Sequence, residues 1–484
     1  MPNTPNILLI VVDQWRADCL GAAGHPVIQT PHLDVLAADG ARFRHAYAAV
    51  PSCIAARVSL LTGLHQRHHG RVGYRDGVPW TYPTTLAGTF AAAGYHTQAV
   101  GKMHVYPTRS LQGFHNVVLH DGYLHAVRHR DPHLVTEDDY LWDLRRRHGV
   151  DADTIDSGVG CNGYVVSPWP YDPPLHPTAW VTTQSIDFLR RRDPTKPFFL
   201  MTSYHRPHPP LDPPQAYLDI YRDVPLPPVA RGDWVGGEGL PHVSLRPHST
   251  DSPKMLNAAQ VERARRAYYA QCTFIDHQIN RLIMALMEHH VFQDTAIVFV
   301  ADHGDMLFDH ELEAKALPYE GSAAVPLIIR PPQRMGLAGR RVVEAPVELR
   351  DLLPTLCDLA GIPTPEGLDG QSLMLFVRGE RPPWSEWLHG EHVWGRFSNH
   401  WLTDGRTKYA WFSQTGREQL FDLDSDPTEC HDLAAERPDE LAIWRARLVH
   451  ELTDREEGTV QDGRLVVGRP VSPVLRGADL AIPS

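Results

Sequence analysis

Strand-like and helix-like patterns alternate along most of this 484-residue chain, as far as about residue 360. The run Ile-Leu-Leu-Ile-Val-Val at 7–12 is continuously aliphatic, which is typical of a parallel strand buried on both faces. Further strands are predicted at 95–100, 198–202, 296–300 and 325–329, and helices at 31–40, 54–61, 84–93, 179–192, 259–289 and 350–360. This alternation predicts an α/β fold, with a large and mostly parallel sheet flanked by helices.

The pattern changes from about residue 375. Short strand-like segments at 408–412 and 419–422 are separated by turns, and a helix is predicted at 438–452. A chain of this length exceeds one ordinary core, so two domains are expected, 1–374 and 375–484. The second is predicted to be a small antiparallel sheet with one helix. Its extended tail could wrap a neighbouring subunit, which makes a homodimer or homotetramer plausible.

Two segments lack a regular pattern. Residues 105–177 and 209–255 are rich in proline and in other residues that favour loops. Long loops inside a compact domain commonly carry binding functions. We therefore expect these two segments to shape a substrate site.

Reactive side chains follow the predicted strands. Asp13, His104, His208 and Asp302 each come at or just after the end of a strand pattern. In open α/β sheets the ligand site lies beyond the carboxyl ends of the strands. The four side chains are therefore expected to lie at one edge of the sheet.

Two of these strand ends carry residues that can bind a metal ion. Asp13 and Gln14 follow the first strand, and Asp302 and His303 follow a later one. Carboxylate and amide oxygens with one imidazole suit a divalent ion such as Ca²⁺, Mg²⁺ or Mn²⁺. Each aspartate alone is more readily explained as a helix or turn cap, but the pair favours a metal site.

Cys53 stands at the predicted start of a helix. Ser52 is a suitable cap and Gly63 a suitable stop. Backbone N–H groups at a helix N-terminus favour anions, and Arg57 lies one turn further along the same face. Cys53 and Arg57 would thus point at one anion site, the alternative being a buried cysteine beside a solvated arginine.

Further cationic and proton-carrying side chains accompany this pair. Lys102 and His104 lie at a strand end, His208 follows another, and Lys315 comes shortly after Asp302. Together with Arg57 they would supply three cations and two histidines. Such a set suits the charge that develops on a transferring sulfuryl or phosphoryl group.

The composition limits the remaining classes of function. The formal charge of −12 and the lack of a long basic run disfavour general binding of nucleic acids. The apolar run at 6–12 is too short for a signal segment or a membrane span. We therefore expect a cytoplasmic protein without a membrane or nucleic-acid partner.

The chain resembles the type I, formylglycine-dependent sulfatases of the alkaline phosphatase superfamily. Residues 53–57 read Cys-Ile-Ala-Ala-Arg, an alanine form of the signature Cys-x-(Pro or Ala)-x-Arg. Similar motifs follow in the family's order: Gly94-Tyr95-x-Thr97, Gly101-Lys102-x-His104, Arg206-Pro207-His208-Pro209-Pro210, Asp302-His303-Gly304-Asp305, Lys315 and Leu420-Phe421-Asp422-Leu423. The resemblance extends over almost the whole chain.

The resemblance implies a sulfuric ester hydrolase, arylsulfatase-like in its reaction. A formylglycine-generating enzyme would oxidise Cys53, and the aldehyde hydrate would attack sulfur to form a covalent sulfo-enzyme. The implied metal site, which favours Ca²⁺, consists of Asp13, Gln14, oxidised Cys53, Asp302 and His303. The implied catalytic set consists of Cys53, Arg57, Lys102, His104, His208 and Lys315.

Two residues depart from the commonest sulfatase pattern. Gln14 stands where many sulfatases have aspartate, and His303 where they have asparagine or glutamine. This pair also resembles phosphonate monoester and phosphodiester hydrolases of the superfamily, which form the alternative. Lys102 and His104 favour the sulfatase. A degenerate binding protein would lack catalytic residues, and none of the expected ones is missing from the sequence.

Overall fold

The computed structural model describes residues 4–122, 137–240, 256–337 and 339–478. The strands of the first part of the chain are β1 (Asn6–Asp13), β2 (Ala41–Phe43), β3 (Ala46–Tyr47), β4 (His96–Gly101), β5 (Asn116–Leu119), β6 (Phe198–Pro207), β7 (Thr295–Ala301), β8 (Leu327–Arg330), β9 (Arg341–Val343) and β10 (Val347–Glu348). The remaining strands are β11 (Leu388–Trp394), β12 (Phe397–Thr403), β13 (Thr407–Phe412), β14 (Glu418–Asp422), β15 (Val460–Gln461) and β16 (Arg464–Leu465).

The helices in the described part of the chain are α1 (Pro31–Ala38), α2 (Cys53–Thr62), α3 (Gln66–His69), α4 (Leu86–Ala92), α5 (Asp139–His148), α6 (Pro177–Arg191), α7 (Gln215–Ile220), α8 (Ala258–Glu288), α9 (Glu320–Ala323), α10 (Leu352–Ala360), α11 (Met374–Arg378) and α12 (Pro438–Leu452). Seven of these helices match the predicted positions to within two residues at each end. The other five were not predicted, and two of them lie inside the segments 105–177 and 209–255, which were expected to lack a regular pattern.

The described residues form an eight-stranded sheet in the order β5-β4-β6-β1-β7-β8-β2-β9. β1 lies between β6 and β7 and is parallel to both. Its side chains from Ile7 to Val12 are at most 1% exposed, as a strand covered on both faces requires. The predicted α/β fold with a large, mostly parallel sheet is confirmed.

The sheet also differs from the predicted one. β8 is antiparallel to both of its neighbours. The sequence did not predict this direction, because a short aliphatic run indicates that a strand is buried but not which way it runs. β2, β5 and β9 were not predicted. β5 lies inside 105–177, which was expected to be irregular, and its four residues become a strand by pairing with the edge of β4.

The C-terminal part contains an antiparallel sheet, β11-β12-β13-β14, as predicted. Trp444 and Leu448 of α12 pack with Leu402 and Tyr409 of the sheet. α12 has the bounds that the sequence predicted. The division into domains at 374/375 remains a prediction.

The described part of the tail, residues 463–478, contacts its own chain. The N–H of Val72 donates to the carbonyl of Pro473, and the N–H of Leu475 donates to that of Gly70. These contacts within the chain do not test the oligomer, so an oligomer formed through the tail remains a prediction. No helix in the described part of the chain combines the length and the apolar character needed to cross a bilayer.

Candidate active site

The carboxyl ends of β4, β6, β1 and β7 meet at one edge of the sheet. Backbone hydrogen bonds join them: His208 donates to Asp13 (3.2 Å), Asp302 to Val12 (3.1 Å) and Lys102 to Ser203 (2.9 Å). These contacts hold the strand ends at adjacent positions. The sequence predicted this convergence, and the structure brings every predicted site residue to this edge or to the segments that cover it.

Four buried side chains form the centre of the site. Single ligand atoms of Asp13, Cys53, Asp302 and His303 all lie within 4.8 Å of one another. Cys53 Sγ is 3.2 Å from His303 Nε2 and 3.6 Å from Asp13 Oδ1. Two carboxylates, an imidazole and the atom at position 53 converge as the ligands of one divalent cation would.

Gln14 places its amide oxygen beside this centre. Lys315 Nζ donates to Gln14 Oε1 at 2.7 Å and lies 3.4 Å from Cys53 Sγ. The N–H of Gln14 donates to Asp302 Oδ1 at 3.2 Å. Gln14 has φ of 67°, a left-handed conformation that is uncommon outside glycine and that turns the chain at the end of β1. The geometry suits Gln14 as a neutral oxygen ligand.

Arg57 is held so that part of its guanidinium stays available. Nε donates to Asp302 Oδ2 (2.8 Å), and Nη1 donates to the carbonyl of Lys102 (2.8 Å) and to Ser203 Oγ (3.0 Å). Within the described residues, the buried Nη2 has no hydrogen-bond partner. A buried donor without a partner is costly, so Nη2 is suited to an anion.

The charges of the site act strongly on one another. Burial alone would raise the pKa of Asp13, but Lys102, His208, His303 and Lys315 outweigh it and hold the pKa well below its usual range. Burial and Asp13 raise the pKa of Cys53, whereas Lys102, Lys315 and His303 lower it by more. An anion at position 53 is therefore favoured, whether it is a thiolate or an oxygen.

The two histidines lie in contrasting environments. Burial lowers the pKa of His104, but hydrogen bonds to Asp76 and Cys53 raise it by more, to about 9. Burial, reinforced by the charge of Lys315, holds the pKa of His208 well below its usual value. His208 Nδ1 lies 2.8 Å from the carbonyl of Pro209, which directs Nε2 away from the backbone. The surroundings therefore favour the charged form of His104 and the neutral form of His208.

Lys315 reaches the site on a tightly folded loop. The N–H of Met306 donates to the carbonyl of Ala314, and the N–H of Ala316 donates to that of Pro51, close to Cys53. Several residues other than glycine adopt left-handed backbone here: Leu307, Phe308, His310, Glu311, Ala314 and Ala316. Backbone strain of this kind is common at functional sites, where the surrounding contacts maintain it.

Sequence reasoning missed several residues around the site. Asp76 Oδ1 lies 3.4 Å from His104 Nε2, and the phenol of Tyr74 donates to Asp76 Oδ2 at 2.7 Å. Tyr164, from the segment at 105–177, donates to Asp305. Asp305 belongs to the motif at 302–305, so its position was a usable signal. Tyr74, Asp76 and Tyr164 lie in segments without a pattern and carried none.

Comparisons with known proteins agree with this arrangement. The family model described as "Sulfatase" matches residues 5–362, and "N-sulphoglucosamine sulphohydrolase, C-terminal" matches 308–457. The chain is similar to an arylsulfatase of Clostridium perfringens, with 48% identity over 97% of this chain and 98% of that protein. It is 31% identical to a choline-sulfatase of Rhizobium meliloti, over 89% of this chain and 82% of the relative.

A solved structure with the same fold is the phosphonate monoester hydrolase of Agrobacterium radiobacter. The TM-score is 0.77 at 26% identity, over 92% of this chain and 95% of that one. The family match covers well over half of the chain, and the sulfatase relatives span nearly its whole length. The chain therefore belongs to the sulfatase family of the alkaline phosphatase superfamily and is a sulfuric ester hydrolase.

Proposed function

We propose that this enzyme hydrolyses sulfate monoesters of aromatic alcohols, with the formylglycine hydrate of residue 53 as nucleophile. The observation that carries the proposal is the position of Cys53 at the N-terminus of α2, within the electrostatic influence of Arg57, Lys102 and Lys315. Fixed cations and helix N–H groups stabilise an anion that gains charge during transfer. The name of the Clostridium perfringens relative, arylsulfatase, supports the aromatic alcohol.

The metal site is proposed to consist of Asp13, Gln14, Asp302 and His303, together with the oxidised residue 53. These side chains would hold one divalent ion that prefers oxygen ligands, and of Ca²⁺, Mn²⁺ and Mg²⁺ we propose Ca²⁺. When bound, the ion acts as a Lewis acid and lowers the pKa of a nearby hydroxyl group. Cys53 must first be converted by a formylglycine-generating enzyme.

The first half of the reaction transfers the sulfuryl group to residue 53. The deprotonated hydroxyl of the hydrate forms a bond to sulfur while the bond from sulfur to the alcohol oxygen breaks. Arg57 and Lys102 bind the hydrate and the sulfuryl oxygens. The anionic substrate raises the pKa of His208, which takes up a proton from water, and His208 or Lys315 then protonates the leaving oxygen.

The second half releases sulfate without attack by water on sulfur. His104, which Asp76 orients, first releases its own proton to water, and its neutral imidazole then takes the proton of the remaining hydroxyl of residue 53. The carbon–oxygen bond to the sulfate then breaks, the aldehyde returns, and water restores the hydrate. Two easier steps thus replace one difficult displacement.

The alternative is hydrolysis of a phosphonate monoester or a phosphodiester by the same nucleophile. It is favoured by Gln14 and His303 and by the fold similarity to a phosphonate monoester hydrolase. The test compares kcat/KM for an aryl sulfate with kcat/KM for the matching aryl phosphonate monoester, on protein whose residue 53 is shown by mass spectrometry to be converted. We expect a clear preference for the sulfate. A preference for the phosphonate would contradict the proposed sulfate substrate but would agree with residue 53 as the nucleophile.

His208 is expected to matter most for poor leaving groups. In His208→Ala, turnover of an aryl sulfate with a basic leaving oxygen should fall by about 10²- to 10⁴-fold, the usual contribution of a general acid. An activated ester should lose much less, because its leaving oxygen needs no proton. The measurement is the slope of log kcat/KM against leaving-group basicity. An unchanged slope would restrict His208 to binding.

An aromatic wall extends from His104 towards solvent. The ring of Tyr74 meets that of His104 at 6.1 Å and stacks on that of Trp394 at 5.4 Å. A bridge between Gly73 and Val393 joins the two segments. Trp394 is half-buried at the end of β11, so it can face a flat alcohol.

We expect Trp394→Leu to lower kcat/KM about tenfold for a two-ring aryl sulfate, since one aromatic contact contributes roughly 1 kcal/mol or more. A one-ring ester of similar leaving-group basicity should lose much less, because it does not reach Trp394. Trp394→Phe serves as the matched control and should retain most of the preference. Equal losses on both esters would show that Trp394 is only structural.

A further inference from the structure

The buried side chains of Asp305 and Tyr164 lie next to Gln14 and have no role in the chemistry above. Gln14 Nε2 donates to Asp305 Oδ2 at 2.6 Å and to the phenol oxygen of Tyr164 at 3.2 Å. On its other side, Gln14 Oε1 accepts from Lys315 Nζ at 2.7 Å. Gln14, Tyr164 and Asp305 are each at most 2% exposed. The network is therefore shielded from water and its geometry is tightly constrained.

The partners of Gln14 permit one orientation of its amide. The carboxylate of Asp305 only accepts hydrogen bonds, and the ammonium group of Lys315 only donates them. The amide nitrogen must therefore face Asp305, and the amide oxygen must face Lys315 and Cys53. An inverted amide would turn N–H groups towards the metal ligands, and N–H groups cannot bind a cation.

Asp305 is itself held from several directions. Its Oδ1 accepts from the N–H groups of Leu307 (2.9 Å) and Ala314 (3.1 Å), and the phenol of Tyr164 donates to the carboxylate at 2.7 Å. The N–H of Ala314 also donates to the phenol oxygen of Tyr164 at 3.0 Å. Asp305 therefore links three parts of the chain: the end of β1, the loop that carries Lys315 and the segment that carries Tyr164.

The same contacts determine which residue type fits at position 14. A carboxylate there would place its oxygen about where Nε2 now lies, 2.6 Å from Asp305 Oδ2. Two buried carboxylates at that distance repel each other, and both cannot stay ionised. An amide avoids the repulsion and gains a charge-assisted hydrogen bond.

We propose that Asp305, supported by Tyr164, is a positioning residue that orients the Gln14 amide oxygen towards the metal and requires residue 14 to be a neutral ligand. This inference rests on the proposed role of Gln14 as a metal ligand. It explains why residue 14 is glutamine and not glutamate, whose carboxylate would face that of Asp305. It also makes the segment around Tyr164 a support of the metal site as well as a candidate wall of the substrate site.

The test exchanges the hydrogen-bond donor at position 14 and the acceptor at position 305. Asp305→Asn keeps an oxygen for the N–H groups of Leu307 and Ala314 but presents an NH₂ group to Gln14, so the amide of Gln14 inverts. Gln14→Glu sets carboxylate against carboxylate. The double variant Gln14→Glu/Asp305→Asn restores one donor facing one acceptor and keeps the total charge of the wild type. Tyr164→Phe removes a single donor and is the mildest change.

The readout is binding of Ca²⁺, and separately of Mn²⁺, to chelator-treated full-length protein by isothermal titration calorimetry. Thermal unfolding with and without the ion accompanies each titration. We expect Asp305→Asn and Gln14→Glu each to weaken binding by about 10- to 100-fold, the usual effect of a residue that orients a metal ligand. The double variant should return to within a few-fold of the wild type. Tyr164→Phe should bind several-fold more weakly than the wild type.

Each result bears on the proposal. Rescue in the double variant supports it, including the case in which a single variant does not fold and the double variant does. Wild-type affinity in Asp305→Asn overturns it. A double variant no better than Gln14→Glu, together with wild-type affinity in Tyr164→Phe, overturns it as well. Wild-type protein that binds neither ion removes the proposed metal site along with this inference, and the aryl sulfate assay then tests the proposed function separately.

Discussion

Cys53→Ala is expected to lower turnover of an aryl sulfate by at least about 10⁴-fold, because removal of a covalent nucleophile has effects of this size or larger. In the proposed mechanism the side chain of residue 53 becomes the aldehyde, and its Sγ atom lies among Asp13, His303 and Lys315. The loss should appear in kcat rather than in binding, since Arg57, Lys102 and Lys315 remain. The measurement is kcat/KM, together with competitive inhibition by sulfate.

Two further variants test whether the loss of turnover is specific to residue 53 and to its conversion to the aldehyde. Cys357→Ala removes a buried cysteine of α10, outside the site, and should retain near-wild-type turnover. Cys53→Ser can attack sulfur but cannot form a hemiacetal, so it should stop after one turnover with sulfate attached to residue 53. Mass spectrometry would detect that adduct. Appreciable turnover by Cys53→Ala, free of contaminating sulfatase, would falsify the proposed nucleophile.

Asp13→Asn is expected to have the second largest effect. The carboxylate of Asp13 contacts Lys102, Cys53 and His303, and all of these groups are buried. The substitution removes a charged ligand of the proposed metal site and leaves the ammonium group of Lys102 buried without its anion. We expect loss of divalent-ion binding and a fall in kcat/KM of at least about 10³-fold, as removal of a metal-ligand charge implies. Stability should also fall by about 3–5 kcal/mol, because breaking a buried ion pair has this effect.

A variant of a second buried ion pair distinguishes the loss of stability in Asp13→Asn from the loss of metal binding. Glu391 accepts two hydrogen bonds from Arg455, each 2.8 Å long, and neither residue is one of the proposed metal ligands. Glu391→Gln should lower the melting temperature in a similar way but leave metal binding intact. The measurements are the melting temperature and the metal content after dialysis. Wild-type metal content in Asp13→Asn would contradict its assignment as a ligand.

The site residues that sequence reasoning found share a recognisable local setting. Asp13, His104, His208 and Asp302 each follow a hydrophobic run, and parallel strands bring such positions to one edge of the sheet. Cys53 and Arg57 lie on one helix with a predictable start and stop. In each case the information lies within a few neighbouring residues, so a single sequence was sufficient.

The residues that were missed depend on contacts between distant segments. Asp76 lies in a loop and reaches His104 only because the chain around Gly73 pairs with Val393 of the C-terminal sheet. Tyr164 reaches Asp305 across 141 positions of sequence. β8 was found as a buried run, yet its direction depends on how the connection from β7 returns. No local pattern encodes any of these contacts.

The sequence by itself determined the α/β class, the sheet edge that bears the site, and the identity of the predicted nucleophile and its cations. Hydrophobic periodicity and helix caps are local properties, and they reveal where buried strands end. Only the tertiary structure decided the orientation of the Gln14 amide, the partners of His104 and the aromatic wall of Tyr74 and Trp394. These features arise from packing between segments far apart in the chain, where the hydrogen-bond partners and the neighbouring rings are set by the fold as a whole.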